Sequence, residues 1–239
     1  MSNIRLYVES EITKSVEIKI SKDKIHYLKN VMKVRNNQNF FIFNPSSGEW
    51  TAKFYKNSLV PEECVRKQES DTQDIWVCFS LVKPKNVNFL IEKVSEIGVK
   101  KIFPLITEFS HKHKFKRDRL QKIAIESVEQ SNGLIIPEIM EILEIKNFFE
   151  VISNDRAIIL CDEKNITNPI SHSLKEIKGK KFAILIGPVG GWSKNERDFF
   201  SNLDNCRKVS LGARVLKADT AAIFSLSCLR AMQMEIINE

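Results

Sequence analysis

The sequence predicts a two-domain α/β protein, in which a small β-rich domain precedes a larger domain built on a parallel sheet. Short segments with strand-like alternation dominate the first 70 residues. Beyond them, short apolar runs alternate with segments of helical periodicity, which is the pattern of βαβ units. The polar stretch 62–74 lies between the two patterns and is predicted to be the linker. We therefore place the domains at residues 1–70 and 71–239.

The N-terminal domain is predicted to be a small β-barrel. The last two of its predicted strands flank the turn Asn44–Gly48 and form a hairpin. This domain has one histidine and no nucleophile pair, so we expect it to bind or to shield rather than to catalyse. Its predicted elements are strands at 5–8, 15–20, 39–43 and 49–55, and a short helix at 25–32.

The second domain is predicted to be a doubly wound parallel sheet. Gly98 ends its first helix as a C-cap. The carboxyl ends of parallel strands share one edge of the sheet, and ligands bind beyond that edge. The predicted strands are 76–82, 102–106, 157–161, 182–186 and 208–211, and the predicted helices are 86–97, 117–131 and 219–237.

Two glycine-bearing loops follow the last two predicted strands. The first, Gly187–Glu196, has three glycines and then Ser193 and Glu196 at the spacing of a capping box, which predicts a helix start. It matches neither the P-loop nor the dinucleotide fingerprint. The alternative is a tight turn that binds nothing. The second loop, Leu211–Thr220, leads into the last helix, where Asp219 and Thr220 are also explained by ordinary N-capping.

The charge predicts an anionic partner. Lysine and arginine exceed aspartate and glutamate by 7 among 239 residues, and the sequence pI is about 9.1. Nucleic acid is the commonest partner of such a protein. The densest cationic cluster is 111–117, where Lys112, Lys114 and Arg117 flank an aromatic residue and are candidates for phosphate contact. The alternative for this cluster is a solvated loop.

Several classes of protein are not favoured. The five cysteines are widely spaced without a C-x-x-C, which indicates reduced thiols in a cytoplasmic protein. No acidic or cysteine ligand accompanies His111 and His113 at metal spacing, so no metal is expected. The N-terminus has no apolar signal core, and no apolar run approaches the length of a membrane helix.

The last predicted helix, 219–237, is apolar nearly all round. Such a helix is buried on more than one side. A second subunit is the simplest additional cover, and the sequence therefore predicts a homodimer. The alternative is burial wholly within its own chain.

The two glycine loops together resemble the paired motifs of the RsmE family. Those motifs read like I-G-P-E-G-G-F-S-x-x-E and L-G-x-R-I-L-R-x-E-T-A, and residues 186–196 and 211–221 are similar to them in the same order. RsmE proteins are SPOUT-superfamily enzymes that use S-adenosylmethionine to methylate N3 of a uridine in small-subunit ribosomal RNA. The resemblance implies that activity, a trefoil knot in the second domain, and a PUA-like RNA-binding domain at the N-terminus, in which His26 and Arg35 match a family motif.

The resemblance also implies the roles of individual residues. Arg214 is expected to stabilise the uridine anion, although a phosphate contact would also explain it. Asp219 is expected to take the N3 proton, with Glu129 and Glu196 as alternatives. The expected cofactor-binding residues are Leu160, Ile186, Gly187, Gly190, Gly191, Leu211, Gly212, Leu216 and Thr220.

Three departures from the family pattern remove a charge, whereas Lys217 in place of arginine and Asp219 in place of glutamate keep it. Val189 stands where a glutamate is usual, and Phe109 and Gly133 stand where arginines are usual. If the glutamate and arginine at 189 and 109 form a pair in the family, losing both leaves no orphan charge. The departures motivate an alternative function, a non-catalytic RNA-binding protein that kept the fold. A dinucleotide-dependent oxidoreductase ranks lower because the fingerprint is missing.

Overall fold

The computed structural model describes residues 4–67, 74–111, 115–164, 168–177 and 179–237, with side chains as far as residue 234. The chain divides into two compact units. The first comprises residues 1–70 and 128–136, and the second comprises residues 71–127 and 137–239.

The first unit is a five-stranded sheet with order β1-β3-β4-β5-β2. All pairings are antiparallel except that of β1 with β3. Each strand contributes a residue to one hydrophobic cluster, so the sheet curls around a single core. Its strands are β1 (Arg5–Tyr7), β2 (Ile18–Lys19), β3 (Asn39–Asn44), β4 (Gly48–Tyr55) and β5 (Ser58–Arg66).

Strand β5 corrects two predictions. It extends through residues 62–66, which were predicted to be linker, because its charged side chains can face outward while its backbone pairs with β4. Glu63 pairs with Thr51 and Arg66 pairs with Glu49, whose side chains also form an ion pair of 3.1 Å. The predicted barrel is not closed among the described residues, because β1 and β2 form the two ends of the strand order.

The predicted helix at 25–32 is two shorter pieces. Helix α1 (Lys22–His26) begins at Ser21, whose hydroxyl accepts the Lys24 N–H at 3.3 Å. A single π-helical turn, Tyr27–Val31, follows it and buries Leu28 in the core.

A buried arginine joins residues 128–136 to the sheet of the first unit. Arg5 is only 4% exposed, and it forms an ion pair with Glu49 and stacks on Phe43 with its guanidinium carbon 4.3 Å from the ring centre. Its two terminal nitrogens donate to the carbonyls of Val128 (2.9 Å) and Gly133 (2.8 Å). The charge is therefore satisfied on every side, as burial requires.

The second unit is a seven-stranded sheet with order β12-β10-β11-β6-β7-β8, and β9 pairs with β7 beside β8. Every pairing in it is parallel. Its strands are β6 (Asp74–Ser80), β7 (Lys101–Ile106), β8 (Glu138–Ile139), β9 (Leu143–Glu144), β10 (Ala157–Cys161), β11 (Lys181–Ile186) and β12 (Cys206–Val209). Its helices are α2 (Pro84–Ile97), α3 (Arg117–Gln130), α4 (Ile145–Val151), α5 (Ile170–Glu176), α6 (Lys194–Ser201) and α7 (Ala218–Ile237).

The parallel sheet is confirmed, and its elements fall close to their predicted ranges. Gly98 ends α2 with a φ of 97°, as its C-cap role requires. One strand was misplaced: β12 is Cys206–Val209 rather than 208–211, because Ser210 already leaves the strand to contact the loop before α5. Helices α4 and α5 and strands β8 and β9 were not predicted.

Two hydrophobic clusters cover the two faces of the sheet. One packs α2, α3, α5 and α7 on the sheet, and the other contains Phe148 of α4 and Phe200 of α6. Helix α7 buries Ala222, Leu226 and Leu229 completely. Among the helices within the described ranges, none is long and apolar enough to cross a membrane.

Candidate functional site

A cavity of about 200 Å³ lies at the carboxyl edge of the parallel sheet. The segments that follow β10, β11 and β12 surround it together with the first turn of α7. Both glycine loops therefore line one cavity, as their positions at the carboxyl ends of parallel strands predict. The lining residues are Cys161, Asp162, Glu163, Ile186, Gly187, Pro188, Val189, Gly191, Ser210, Leu211, Gly212, Ala213, Arg214, Val215, Leu216, Lys217, Ala218 and Ala221.

The first glycine loop is packed too tightly for side chains at two positions. A Cβ on Gly187 would lie 3.1 Å from the indole of Trp192, which is buried and donates its Nε1–H to the Cys161 carbonyl at 2.9 Å. A Cβ on Gly191 would lie 1.9 Å from Glu163 Oε1, and Gly191 has a φ of 72°. These contacts bring the loop backbone directly onto the segment after β10.

The capping box that the sequence predicts at the start of α6 is confirmed. Ser193 Oγ accepts the Glu196 N–H at 3.2 Å, and Glu196 Oε2 accepts the Ser193 N–H at 2.8 Å. Glu196 Oε1 also accepts the Glu108 N–H at 3.0 Å. Both carboxylate oxygens are thus occupied by backbone donors, which argues against Glu196 as a catalytic base.

The second glycine loop is anchored at its start and open at its tip. Ser210 exchanges backbone hydrogen bonds with the segment before α5, donating to Asn168 at 2.7 Å and accepting from Ile170 at 3.0 Å. Leu211 and Leu216 are half-buried against the core and offer apolar surface to the cavity. Arg214 is exposed, and its guanidinium forms no ion pair with any described residue.

A carboxylate pair, Asp162 and Glu163, also lines the cavity. Arg197 bridges the two carboxylates, with Nε 3.2 Å from Asp162 Oδ1 and a terminal nitrogen 2.6 Å from Glu163 Oε1. It also donates to the Trp192 carbonyl. Asp162, Glu163 and the bridging Arg197 together carry one net negative charge, while Arg214 and Lys217 of the second glycine loop contribute positive charge to the lining.

Cys161 ends β10 at the floor of the cavity. Burial raises the pKa of its thiol to about 12, against a smaller opposing effect of a hydrogen bond with Ser225. The thiol therefore stays protonated and apolar at neutral pH, and it serves as a small hydrophobic surface.

Seven of the predicted catalytic and cofactor-binding residues line the cavity, and four do not. Leu160 faces the core beside α4 and α6, because side chains alternate along a strand and its neighbour Cys161 takes the cavity side. Gly190 lies against Phe109 instead. Thr220 is on the exposed side of α7, and Asp219 Oδ1 accepts the Thr220 N–H at 2.8 Å. The lining seven are Ile186, Gly187, Gly191, Leu211, Gly212, Arg214 and Leu216.

Sequence reasoning missed the segment after β10. Asp162 and Glu163 contribute two of the cavity's charged groups, and Cys161 contributes its floor. Their one signal was position, because they follow a strand that pairs with both β11 and β12.

The residues proposed for RNA contact have different surroundings. In the first unit His26 and Arg35 are both exposed, and His26 Nδ1 lies 2.9 Å from the Asn30 amide. Lys112 and Lys114 lie outside the described residues. Arg117 is already engaged, since it donates to the Ile139 carbonyl at 2.6 Å and pairs with Glu141 at 3.3 Å.

The remaining base candidate also has a structural role. Glu129 Oε1 accepts the Tyr7 N–H at 2.8 Å within the first unit. That hydrogen bond holds Glu129 to the end of β1.

The three departures from the family pattern lie in ordinary surroundings. Phe109 packs against the first glycine loop, since a Cβ on Gly190 would lie 3.2 Å from the Phe109 Cβ. Val189, the preceding residue of that loop, is 78% exposed at the cavity. A Cβ on Gly133 would lie 3.0 Å from Val128, so this glycine fits close packing in the first unit.

A parallel α/β sheet with a ligand-sized cavity formed by two glycine loops at its carboxyl edge defines the class: an α/β protein with a small-molecule site at the carboxyl ends of its strands. A family model described as RNA methyltransferase domain matches residues 68–230. The chain therefore belongs to the RNA methyltransferase domain family. A second model, described as RNA methyltransferase PUA domain, matches residues 20–56.

Individual relatives agree over nearly the whole chain. The chain is 26% identical to ribosomal RNA small subunit methyltransferase E of Rickettsia conorii over 235 residues, which is 95% of each protein. It is 23% identical to the protein of that name from Bacillus subtilis, covering 98% of each. A crystal structure of such an enzyme from Neisseria gonorrhoeae, bound to S-adenosylmethionine, has the same fold, with a TM-score of 0.83, 20% identity and coverage of 96% of this chain and 98% of that one. A putative methyltransferase from Legionella pneumophila in complex with the same cofactor gives a TM-score of 0.85 at 24% identity, covering 97% and 98% of the two chains.

Proposed function

We propose that this protein transfers a methyl group from S-adenosylmethionine to N3 of a uridine in small-subunit ribosomal RNA. One observation carries the proposal: the two glycine loops that resemble the RsmE motifs line a single cavity, with Arg214 at its rim. The relatives named for small-subunit ribosomal RNA methylation support the substrate, and the solved relatives that hold S-adenosylmethionine support the cofactor.

The residues of the cavity fit S-adenosylmethionine. The cofactor combines an apolar adenine face, hydrogen-bonding edges and a cationic sulfonium. Ile186, Leu211 and Leu216 offer apolar surface for the ring, and the loop at Gly187 and Gly191 adds backbone to the lining. The net negative wall of Asp162, Glu163 and Arg197 suits a cation.

S-adenosylmethionine supplies an activated methyl group, so the protein must mainly align the acceptor and manage its proton. Uridine N3 carries a proton at neutral pH. Arg214 holds the negative charge that develops on O2 or O4 as that proton leaves, because its guanidinium has no ion-pair partner among the described residues. Its position at the cavity rim supports this role.

Asp219 takes the N3 proton. One of its oxygens accepts the Thr220 N–H, and no described residue donates to Oδ2, which is then available to a substrate. Asp219 lies at the start of α7, next to the cavity-lining Ala218.

The second unit forms a trefoil knot. Ser210 exchanges backbone hydrogen bonds with Asn168 and Ile170 as the chain leaves β12, and residues 211–217 then lead into α7, which packs on α2 and on β11. The resemblance to SPOUT methyltransferases is the second support, since knots are otherwise very rare.

The N-terminal unit binds the RNA. We assign residues 1–70 to a PUA-like RNA-binding domain and 71–239 to the catalytic domain. His26 and Arg35 are exposed on the first, and Lys112 and Lys114 belong to the densest cationic cluster of the second, in which Arg117 is already paired with Glu141. A ribosomal RNA substrate also makes the cytoplasm the site of action.

The protein acts as a homodimer. Helix α7 leaves Thr220, Phe224, Ser227 and Ala231 exposed, and we call these four residues the α7 stripe. Their spacing of four, three and four residues places them along one side of the helix, as in a helix-pairing seam. Phe224 is 43% exposed there.

The decisive experiment compares small-subunit ribosomal RNA from cells with and without the protein by mass mapping. We expect one uridine to carry an added methyl group only when the protein is present. Titration calorimetry with S-adenosylmethionine accompanies it. RNA binding without cofactor binding and without a mass change would establish the alternative, a non-catalytic RNA-binding protein.

Arg214→Ala tests the chemistry itself. Loss of a charge that acts in the transition state lowers kcat by about two to three orders of magnitude. Cofactor affinity, measured by calorimetry, should stay unchanged. The control is Arg207→Ala, which removes an exposed cation of β12 outside the cavity. Equal turnover in the two variants would remove Arg214 from the mechanism.

A further inference from the structure

A second, smaller cavity of about 130 Å³ lies between the starts of α2 and α3. Nothing in the methyl-transfer chemistry uses it. It is lined by Pro84, Val87 and Asn88 from α2, and by Phe115, Lys116, Arg119 and Leu120 at the start of α3.

The lining of this second cavity combines the groups that recognise a single nucleobase. Phe115, Val87 and Leu120 supply an aromatic ring and aliphatic surface, and Phe115 packs partly against the main core. The amide of Asn88 is half-buried and carries both a donor and an acceptor. Unstacked RNA bases are held by this combination of aromatic stacking and amide hydrogen bonds.

Two cations stand at the mouth of the second cavity. Lys116 and Arg119 are exposed, and neither forms an ion pair with a residue in the described ranges. Lys83 and Lys85 are exposed at the start of α2, while Asp118 is the nearest acidic residue along α3. By contrast, Arg117 points to Ile139 and Glu141 and is not available. The positive balance suits phosphates on both sides of a bound base.

The second cavity lies on the same edge of the sheet as the first. It follows β6 and β7, while the first cavity follows β10, β11 and β12. Residues 107–111 connect the two: Phe109 packs on Gly190, and the His111 N–H donates to the Leu81 carbonyl at 2.9 Å, two residues before α2 is capped. One strand of RNA can therefore run along this edge and contact both cavities.

We propose that the second cavity seats one unstacked base of single-stranded RNA, with its flanking phosphates held by Lys116 and Arg119. The ligand class rests on the proposed function, which makes RNA the substrate. Such a site fixes the position of the strand, so that a second base of the same strand enters the methyl-transfer cavity.

Binding of labelled RNA by the full-length protein tests the base pocket. Phe115→Leu keeps apolar packing but removes the ring, and Asn88→Ala removes the amide. We expect each to weaken binding of a single-stranded uridine oligomer by about tenfold, because stacking and edge contacts are lost. Binding of an RNA duplex should not change, because its bases are already stacked. Equal losses on both RNAs, or none on either, would overturn the proposal.

The cations are tested by Lys116→Ala/Arg119→Ala against the matched control Lys146→Ala/Lys175→Ala. Both pairs remove two exposed cations, but the control residues lie on α4 and α5 away from either cavity. Each phosphate contact to a single strand contributes about 0.7 to the slope of log affinity against log salt. The first pair should therefore lower that slope by about 1.4. A change no larger than that of the control pair would contradict the phosphate contacts.

Methylation kinetics separate this proposal from the function on which it rests. With small subunits from cells lacking the protein, the first pair should raise KM for the subunit and leave cofactor affinity unchanged. If the wild type methylates but the first pair matches its control, the second cavity alone is refuted. If the wild type methylates nothing, the proposed function fails, and the oligomer measurements still decide the cavity.

Discussion

Gly191 shows how one residue determines the wall of the cofactor cavity. Its φ of 72° is strained for any other residue, and a Cβ there would lie 1.9 Å from Glu163 Oε1. The side chain of Glu163 is in turn held by Arg197 at 2.6 Å. Any side chain at 191 must therefore displace a carboxylate that is already hydrogen-bonded.

We predict that Gly191→Ala lowers the free energy of unfolding by about 2 kcal/mol, from backbone strain and the displaced carboxylate together. Urea denaturation of the cofactor-free protein measures it. Gly212→Ala is the matched control, because Gly212 has a φ of 113° and nothing lies within 4 Å of its added Cβ. Gly212→Ala should lower the unfolding free energy by less than Gly191→Ala does. The double variant Gly191→Ala/Glu163→Ala should be more stable than Gly191→Ala alone, because the displaced carboxylate is gone. Identical losses at 191 and 212 would exclude the contact.

The buried thiol of Cys161 makes the stability of the protein depend on pH in the alkaline range. Burial raises its pKa from the ordinary value of 9.0 to about 12, so the folded state keeps a proton that the unfolded state loses. The stabilisation is complete below pH 9 and is lost as the pH rises from 9 towards 12. One thiol contributes a slope of up to about 1.4 kcal/mol per pH unit in that window.

We therefore predict that Cys161→Ala flattens the alkaline decline of stability relative to the wild type. Unfolding midpoints measured in urea from pH 8 to 11 would show it. Other groups that titrate in this range are present in both proteins and cancel in the comparison. Parallel curves would mean that Cys161 is not held protonated by burial.

At the scale of elements, helix α6 carries the first glycine loop. Its capping box uses Ser193 and Glu196, and Glu196 also accepts the Glu108 N–H at 3.0 Å. One carboxylate thus fixes both the helix start and the segment whose Phe109 packs on Gly190. The pose of the loop depends on this end of the helix.

We predict that Ser193→Ala costs about 1 kcal/mol of unfolding free energy, the usual contribution of an N-cap. Glu196→Ala should cost more, because it removes the acceptor of two backbone donors, whereas Glu196→Gln should retain most of the stability. Chemical denaturation gives all three values. Ser21→Ala at the short helix α1 is the comparison, because Ser21 is an N-cap of the first unit whose hydroxyl also accepts a backbone N–H. If Glu196→Ala lowers the unfolding free energy by no more than Ser193→Ala does, the hydrogen bond from the Glu108 N–H to Glu196 contributes nothing to stability.

Element prediction succeeded where local patterns and tertiary packing agree. The run Phe182–Ile186 is apolar throughout because β11 has a strand on each side and a hydrophobic cluster on each face. At the charged end of β5 the local pattern was misleading. Residues 62–66 are polar and were predicted to be linker, but their backbone pairs with β4 and makes them a strand. Helices α4 and α5 have only seven residues each, too few for a periodic signal.

At the scale of the whole molecule, the position of the cavity could be predicted but part of its wall could not. Two loops that follow predicted parallel strands lie at the carboxyl edge of the same sheet. Gly187 and Arg214 therefore line the same cavity. Asp162 and Glu163 carry no motif of their own and join the cavity only because β10 lies between β11 and β12. Strand order is a long-range property that periodicity does not contain. The same limit explains why Leu160 was wrongly expected in the cavity. Which face of the sheet its side chain takes is not given by any local pattern in the sequence.

The proposed dimer is the property of the whole molecule that bears most directly on the site. Helix α7 lines the cavity with Ala218 and Ala221, while Thr220 and Phe224 of the α7 stripe face outward from the same turns. A second subunit that covers the α7 stripe would therefore also restrict the motion of the cavity residues Ala218 and Ala221. Apolar surface on a protein helix at this spacing is stabilised when a second helix buries it.

We predict that Phe224→Glu converts the protein from dimer to monomer, because a charge in the seam would be buried without a partner. The matched control is Phe199→Glu. Phe199 is 44% exposed, against 43% for Phe224, but it lies on α6 at the other face of the sheet. Sedimentation velocity at micromolar concentration should give a dimer for the wild type and the control, and a monomer for Phe224→Glu. The monomer should also bind S-adenosylmethionine several-fold more weakly by calorimetry, since α7 forms part of the cavity. A wild type that sediments as a monomer would refute the dimer, and a monomeric variant with unchanged cofactor affinity would refute its link to the site.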